Sequence, residues 1–221
     1  MDLESIKNKL PLDLYNILKN NIKQFRPSQE KAINKGLLDS NNLLICTPTA
    51  SGKTLIGEIA LIKNIMENKG KGIYLVPLKA LALEKYKDFK KKYNGLINIA
   101  LSIGDKDNPE YYLENYDLII CTYEKLDSLI RHKPLWINYI KTLVIDEVHL
   151  LNDLNRGPVL EIVITSLRQK IKDIQIIALS ATIGNPEILA NWLNASLVRD
   201  EWRPVELKKG ILIKNKIKFF N

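Results

Sequence analysis

Thr47-Pro-Thr-Ala-Ser-Gly-Lys-Thr54 decides the fold, because it lies between an apolar run, Leu43-Leu-Ile-Cys46, and a long apolar stretch with helical spacing over 53–67. That order is strand, phosphate loop, helix. The template G-x-x-x-x-G-K-[ST] works because successive backbone N–H groups wrap phosphates, the lysine neutralises the outer ones, and the last hydroxyl ligates Mg²⁺. Gly52, Lys53 and Thr54 fit, with Thr49, Ala50 and Ser51 supplying the intervening amides, while Thr47 stands where the first glycine belongs. The plain alternative is a chance Ser-Gly-Lys-Thr turn. The strand and helix flanks weigh against it, since the N-terminus of a helix after a strand is a ready anion site.

Short apolar runs alternate with longer helical stretches along the rest of the chain: 72–76 then 78–92, 97–102, 117–121 then 123–131, 142–146 then 157–170, and 175–179 then 186–193. Strands without polar alternation are buried on both faces, and helical crossovers between them favour a mostly parallel sheet with helices on both faces, an α/β fold. Upstream, Leu3, Ile6, Leu10, Leu14, Ile17, Leu18 and Ile22 recur at mixed three and four spacing, broken by Pro11. Two short amphipathic helices follow from this, a helical cap over 1–24. Pro27 then opens a helix to about residue 38, with Ala32, Ile33 and Leu37 on one face. The tail differs: Ile213, Ile217 and Phe219 alternate with Lys214, Lys216 and Lys218, the pattern of one half-exposed strand, either at an edge or leading toward a further domain.

A chain of 221 residues can bury one sizeable α/β core. Its 46% apolar and 26% charged residues are ordinary for a globular protein, no apolar run approaches bilayer length, and the first residues lack signal-peptide architecture. No membrane partner and a cytoplasmic location are therefore expected. Cys46 and Cys121 fall inside Leu/Ile-rich runs, as small core residues do. A net charge of +8 makes polyanions candidate partners.

Val144-Ile-Asp-Glu-Val-His149 ends an apolar strand with two adjacent carboxylates, at the sheet edge where α/β proteins bind ligands. Asp146 is placed to hold Mg²⁺ through water and Glu147 to act as base for an attacking water, which points to hydrolysis. Capping of the next helix is the plain alternative. Ser180-Ala-Thr182 follows another buried strand, putting two hydroxyls within expected reach of His149 and the carboxylates; a turn or helix cap is the commoner use of such residues.

Phe25-Arg-Pro-Ser-Gln29, the loop 47–54, Pro77-Leu-Lys-Ala-Leu-Ala82, Gly104-Asp105, Thr122-Tyr-Glu-Lys125, Asp146-Glu-Val-His149 and Ser180-Ala-Thr182 stand in the order of a superfamily 2 helicase's first motor domain. With Arg156-Gly-Pro158, Thr182-Ile-Gly-Asn-Pro186 and Trp202-Arg-Pro204, the text resembles the Ski2-like group, especially its archaeal DNA-repair helicase branch. The resemblance implies a RecA-like P-loop NTPase domain over 25–204, with ATP and Mg²⁺ as cofactors. It implies that Gln29 recognises adenine, with Phe25 or Arg26 against the ring; that Thr49 to Thr54 hold phosphate; that Thr54 and Asp146 hold the metal; and that Lys53, Asp146 and Glu147 serve hydrolysis. His149, Ser180 and Thr182 would couple nucleotide state to nucleic-acid grip. Pro77, Lys79, Gly104, Asp105, Thr122 and Lys125 would line the path of a single or forked strand, DNA favoured, with travel 3′ to 5′ and a cytoplasmic, nucleoid-associated location.

Family motors use a second RecA-like domain that brings arginines across the cleft. Beyond Thr182 only Arg199 and Arg203 remain, in no such motif, so 205–221 is expected to lead to that second domain. A Ski2-like RNA helicase and a nucleotide-gated binding module without hydrolysis are the alternatives. A P-loop small-molecule kinase fits poorly with the Asp-Glu pair and Ser-Ala-Thr.

Overall fold

The apolar runs on either side of the phosphate loop become β1 (Leu43–Cys46), β2 (Lys71–Val76), β3 (Ile99–Ser102), β4 (Leu118–Thr122), β5 (Ile140–Ile145), β6 (Gln175–Ser180) and β7 (Ser196–Arg199). They form one sheet in the order β3-β4-β2-β5-β6-β1-β7, every neighbouring pair parallel. The structure is a computed structural model, which describes residues 1–104, 108–205, 208–213 and 216–220. Asp105 lies outside the described residues.

Side chains along each strand alternate between two cores, as the two-residue period requires. Leu43 and Ile45 of β1, Tyr74 of β2 and Val144 of β5 face one side. There they meet α2 (Pro27–Asn34), α3 (Lys53–Met66) and α4 (Lys79–Tyr93). Leu44, Ile73, Leu143 and Ala178 face the other, under α5 (Tyr123–His132), α6 (Gly157–Lys170) and α7 (Pro186–Leu193). β1, β4 and β6 are buried at every position. Burial of each such leucine or isoleucine contributes about 1.5–3 kcal/mol, which makes these central strands the anchor of the domain. Because all seven strands are parallel, their C-terminal ends share one rim, and the motif residues follow those ends.

In the first 24 residues, Leu3, Ile6, Leu14 and Leu18 pack into the core shared with α2 and α3. The first segment, Leu3–Lys9, is 3₁₀-helical and the second is α1 (Leu12–Lys19), with Pro11 between them. The helix expected to run from Pro27 to about residue 38 stops earlier. Gly36 adopts a left-handed φ of 89°, with the Asn41 side chain filling the space a Cβ would take, and Leu37–Asp39 continues as a separate 3₁₀ turn. β7 was not foreseen: only Val198 of its four residues is fully buried, and it adds an edge to β1. The tail is also not a single strand. β8 (Lys209–Ile213) and β9 (Lys216–Phe220) pair antiparallel as a sheet of their own, with Ile211, Ile217 and Phe219 exposed. An alternating pattern sets which faces a strand presents but not which strand it pairs with, and a hairpin satisfies that pattern locally. No helix among the described residues is long and apolar enough to cross a membrane.

Candidate active site

The phosphate loop leaves β1 and enters α3 through residues in left-handed conformation, Ala50 at φ 63° and Gly52 at φ 93°. Gly52 is required twice over, since a Cβ there would lie 2.5 Å from Gln29 Nε2. The loop is braced internally by Thr47 Oγ1 and Ser51 Oγ at 2.7 Å, so the threonine in the first glycine's place supplies a hydroxyl tie. Gln29 is buried at the start of α2; its Oε1 accepts from the Arg26 amide at 2.9 Å and its Nε2 donates to Gly52 O at 3.1 Å. Arg26 Nη1 donates to Ala50 O at 2.7 Å. Phe25, by contrast, is 5% exposed and packed in the core, so Arg26 is the one of the two that faces the site.

Lys53 donates to Thr47 O at 3.1 Å and to Ser180 O at 2.9 Å. Burial pushes its ammonium below the usual lysine range, while the carboxylates of Glu147 and Asp146 pull the other way. That mutual influence follows from the strand order β5-β6-β1: the acid pair, Ser180 and the loop leave three adjacent strands at one rim. The Asp146 amide extends the ladder to Leu75 O at 2.8 Å, and its Oδ1 accepts from the Glu147 amide at 3.1 Å. Glu147 stands in the left-handed region at φ 55°, a strained setting for a residue with a side chain, and its Oε2 lies 3.3 Å from His149 Nδ1. His149 Nδ1 has no aligned hydrogen bond, so the two side chains are close without being bonded.

Two tyrosines received no role of their own from the sequence, Tyr74 outside every motif and Tyr123 within one. Tyr74, wholly buried on β2, donates from its hydroxyl to Asp146 Oδ2 at 3.1 Å, fastening one of the two residues expected to hold metal. Burial and the Asp146 charge push its phenol well above the ordinary value, so it remains a donor. Tyr123, at the start of α5, donates to the Asp146 carbonyl. The signal for Tyr74 was a polar-tipped aromatic in a strand otherwise free of polar side chains after Lys71, whose hydroxyl must find a partner once buried. Among the described residues no group of three or more His, Cys, Asp and Glu side chains could hold a metal by itself. Any Mg²⁺ here would share Thr54 and Asp146 with phosphate oxygens, as that ion commonly does.

The expected bridge from Ser180 and Thr182 to His149 is not formed. Ser180 Oγ is buried without a partner, its carbonyl being the group in use, and Thr182 lies on the exposed turn after β6. Cys46 and Cys121 are buried free thiols, and burial pushes the Cys46 thiol up to about 11.

Farther along the rim, a cavity of about 470 Å³ is lined by Pro77, Lys79, Gly104, Thr122 and Lys125, together with Arg131 and Arg156. Every described residue of the expected strand path therefore faces one space, but Lys125 does so in a different way from that expected. Its side chain is 1% exposed and its ammonium is paired with Glu110 at 2.9 Å, because α5 places it beneath the loop that follows β3. Thr122 Oγ1 accepts from the Lys125 amide at 3.4 Å, capping α5. Arg131, paired with Asp127 at 2.7 Å, keeps most of its side chain in solvent.

The sequence matches the DEAD/DEAH box helicase family profile over residues 26–189. It is 58% identical to the ATP-dependent DNA helicase Hel308 of Methanocaldococcus jannaschii over 90% of this chain and 17% of that protein, and 54% identical to that of Methanococcus vannielii over 90% and 27%. The Hel308 helicase of Caldivirga maquilingensis is 47% identical over the whole of this chain and 29% of its own length. The chain thus spans less than a third of these relatives. Among solved structures, the DUF1998 helicase MrfA is similar with a TM-score of 0.75 at 26% identity, covering 86% of this chain and 33% of that one; MrfA bound to DNA gives 0.73 at 25%, covering 87% and 30%. Seven motifs in order, a parallel sheet that gathers them on one rim, and the profile match agree: the chain belongs to the DEAD/DEAH box helicase family.

Proposed function

We propose that this chain is the ATP-binding motor lobe of an ATP-dependent DNA helicase, in which hydrolysis drives movement along a single strand. The observation that carries the reading is the meeting of Lys53, the Ser180 carbonyl and the Asp146-Glu147 pair at the ends of β1, β6 and β5. In this reading residues 25–204 are the motor lobe, 1–24 its cap, and 205–221 the way to a second RecA-like lobe. The protein works in the cytoplasm on the nucleoid.

ATP lies with its purine at Gln29 and Arg26 and its phosphates along the amides of 49–54. Lys53 exchanges its two carbonyl partners for phosphate oxygens. Thr54 and Asp146 would hold Mg²⁺, whose charge would offset that building on the phosphates; the Tyr74 hydroxyl, which donates to Asp146 Oδ2, keeps that carboxylate in place. Glu147 accepts the proton of the attacking water, and His149 reports its position to neighbouring segments. The cavity between Pro77 and Arg156 holds the sugar-phosphate backbone through amides, hydroxyls and basic groups, contacts that carry no base sequence. The Hel308 relatives are named as DNA helicases, which favours DNA over RNA.

Comparison of ATPase rates for a two-lobe protein with single-stranded DNA, with single-stranded RNA and with neither tests the reading. DNA stimulation lost in Glu147→Gln is expected; stimulation by RNA alone, or indifference to Glu147, rejects it. The 221-residue chain alone should bind ATP but hydrolyse it about 10³- to 10⁵-fold more slowly, lacking a partner lobe's arginine. Strand separation by this chain alone would refute the need for that lobe.

A further inference from the structure

Trp202 has no part in the mechanism above, yet it stands at the base end of the site. The Arg26 guanidinium lies 5.5 Å from the indole centroid, and the same arginine holds Ala50 O of the phosphate loop. Trp202 is 38% exposed, and Arg26 is also exposed, which leaves surface for a second planar ring.

The indole is anchored from two directions. The Asp200 amide donates to Cys46 O at 3.4 Å, carrying the β7 pairing up to the residue before the phosphate loop, and the Trp202 amide donates to Asp200 Oδ1 at 2.7 Å. Asp200 Oδ2 pairs with Lys31 Nζ at 2.8 Å, and Lys31 also donates to Arg199 O at 3.1 Å. Lys31 belongs to α2, the helix whose first turn carries Gln29 and which Arg26 caps. The segment 199–202 is therefore latched both to the strand that feeds the loop and to the helix beside the base.

We propose that Trp202 and Arg26 form a stacking wall for the purine of the nucleotide. The indole backs the guanidinium, and the guanidinium presents its plane to the base, so that Trp202 is a positioning residue acting through Arg26. A guanidinium is planar and delocalised, and it stacks on aromatic faces where an ammonium offers only a point charge. An unsupported arginine would lose much of its rotamer freedom on meeting the base; the indole and Ala50 O have already restricted it. The wall takes flat aromatic bases on a di- or triphosphate, and Gln29 is left to read the edge of the ring. This inference rests on the nucleotide site proposed above.

Binding of ATP, ADP and inorganic tripolyphosphate to this chain, measured by calorimetry, tests it. Trp202→Ala should weaken ATP and ADP roughly 3- to 30-fold, the range a cation–π stack supports, and leave tripolyphosphate unchanged. Trp202→Phe should restore most of the loss. Arg26→Lys should resemble Trp202→Ala, and the double variant should lose no more than the larger single one. Equal losses for all three ligands would make Trp202 merely structural and overturn the wall. Unchanged ATP binding in Trp202→Ala, with binding lost in Lys53→Ala, would overturn it while sparing the nucleotide site. If Lys53→Ala also bound ATP normally, site and wall would fall together.

Discussion

The two ends of the rim hold their charges in opposite ways. At the nucleotide corner Lys53, Asp146 and Arg26 are held by neutral partners: Lys53 by two carbonyls, Asp146 by an amide and the Tyr74 hydroxyl, and Arg26 by Ala50 O and the Trp202 ring. In the proposed reading the carbonyls on Lys53 give way to phosphate and Asp146 takes up metal, so the corner is arranged but uncommitted. At the strand cavity Lys125 is spent on Glu110 out of contact with water, and Arg131 on Asp127 in contact with it. A buried pair that loses one partner costs far more than an exposed one. Lys125 is therefore a post that positions the cavity wall, and in the proposed reading the cavity's grip on a polyanion falls to the more accessible Lys79, Arg131 and Arg156.

Glu110→Ala gives the largest test of that contrast. It removes one carboxylate partner of a buried ammonium and should cost up to about 3–5 kcal/mol in urea unfolding. Retained stability with a collapse of strand affinity would instead hand Lys125 to the nucleic acid and erase the difference between the two ends. Gly52→Ala strikes the other end, where the left-handed φ and the close Gln29 Nε2 set a strain of about 1–3 kcal/mol. ATP affinity should fall with it while strand binding survives, and a loss of both would mean that the corner and cavity are one unit.

Removal of Arg131 or Arg156 should weaken single-stranded DNA binding only several-fold. Each loss should flatten the plot of log affinity against log salt by roughly one. An unchanged slope would remove that arginine from the strand path. The smallest effect belongs to Asp200. Burial tends to raise its carboxyl pKa, but the hydrogen bonds from Lys31 and the Trp202 amide outweigh it and hold the group below its ordinary 3.8. Its contribution to stability is therefore present above that pH and lost as pH falls below it. Asp200→Asn should flatten the acid limb of a thermal-melting profile, and an unaltered limb would remove the latch from the energetics.

The nucleotide corner was legible because its signals are local. Gly52 before Lys53, and an acid pair ending an apolar strand, describe their surroundings within a few residues. The cavity was legible only as a set of positions, since exposure separates a strand contact from a buried post and Lys125 reads the same in either state. Short segments away from the buried strands were the weakest signals: β7 passed unnoticed, and the tail read as one strand where β8 and β9 pair.

By itself the sequence determined the order of strand, loop and helix, the burial of both sheet faces and the glycine before Lys53 in the loop. Each of these follows from backbone preference and hydrophobic period acting over a handful of neighbours. Only the tertiary structure decided that Tyr74 would fasten Asp146, that Glu110 would take Lys125, and that Trp202 would lie against Arg26. Those partners are distant along the chain, and a parallel sheet brings together segments separated by whole helices, so no local pattern could announce them.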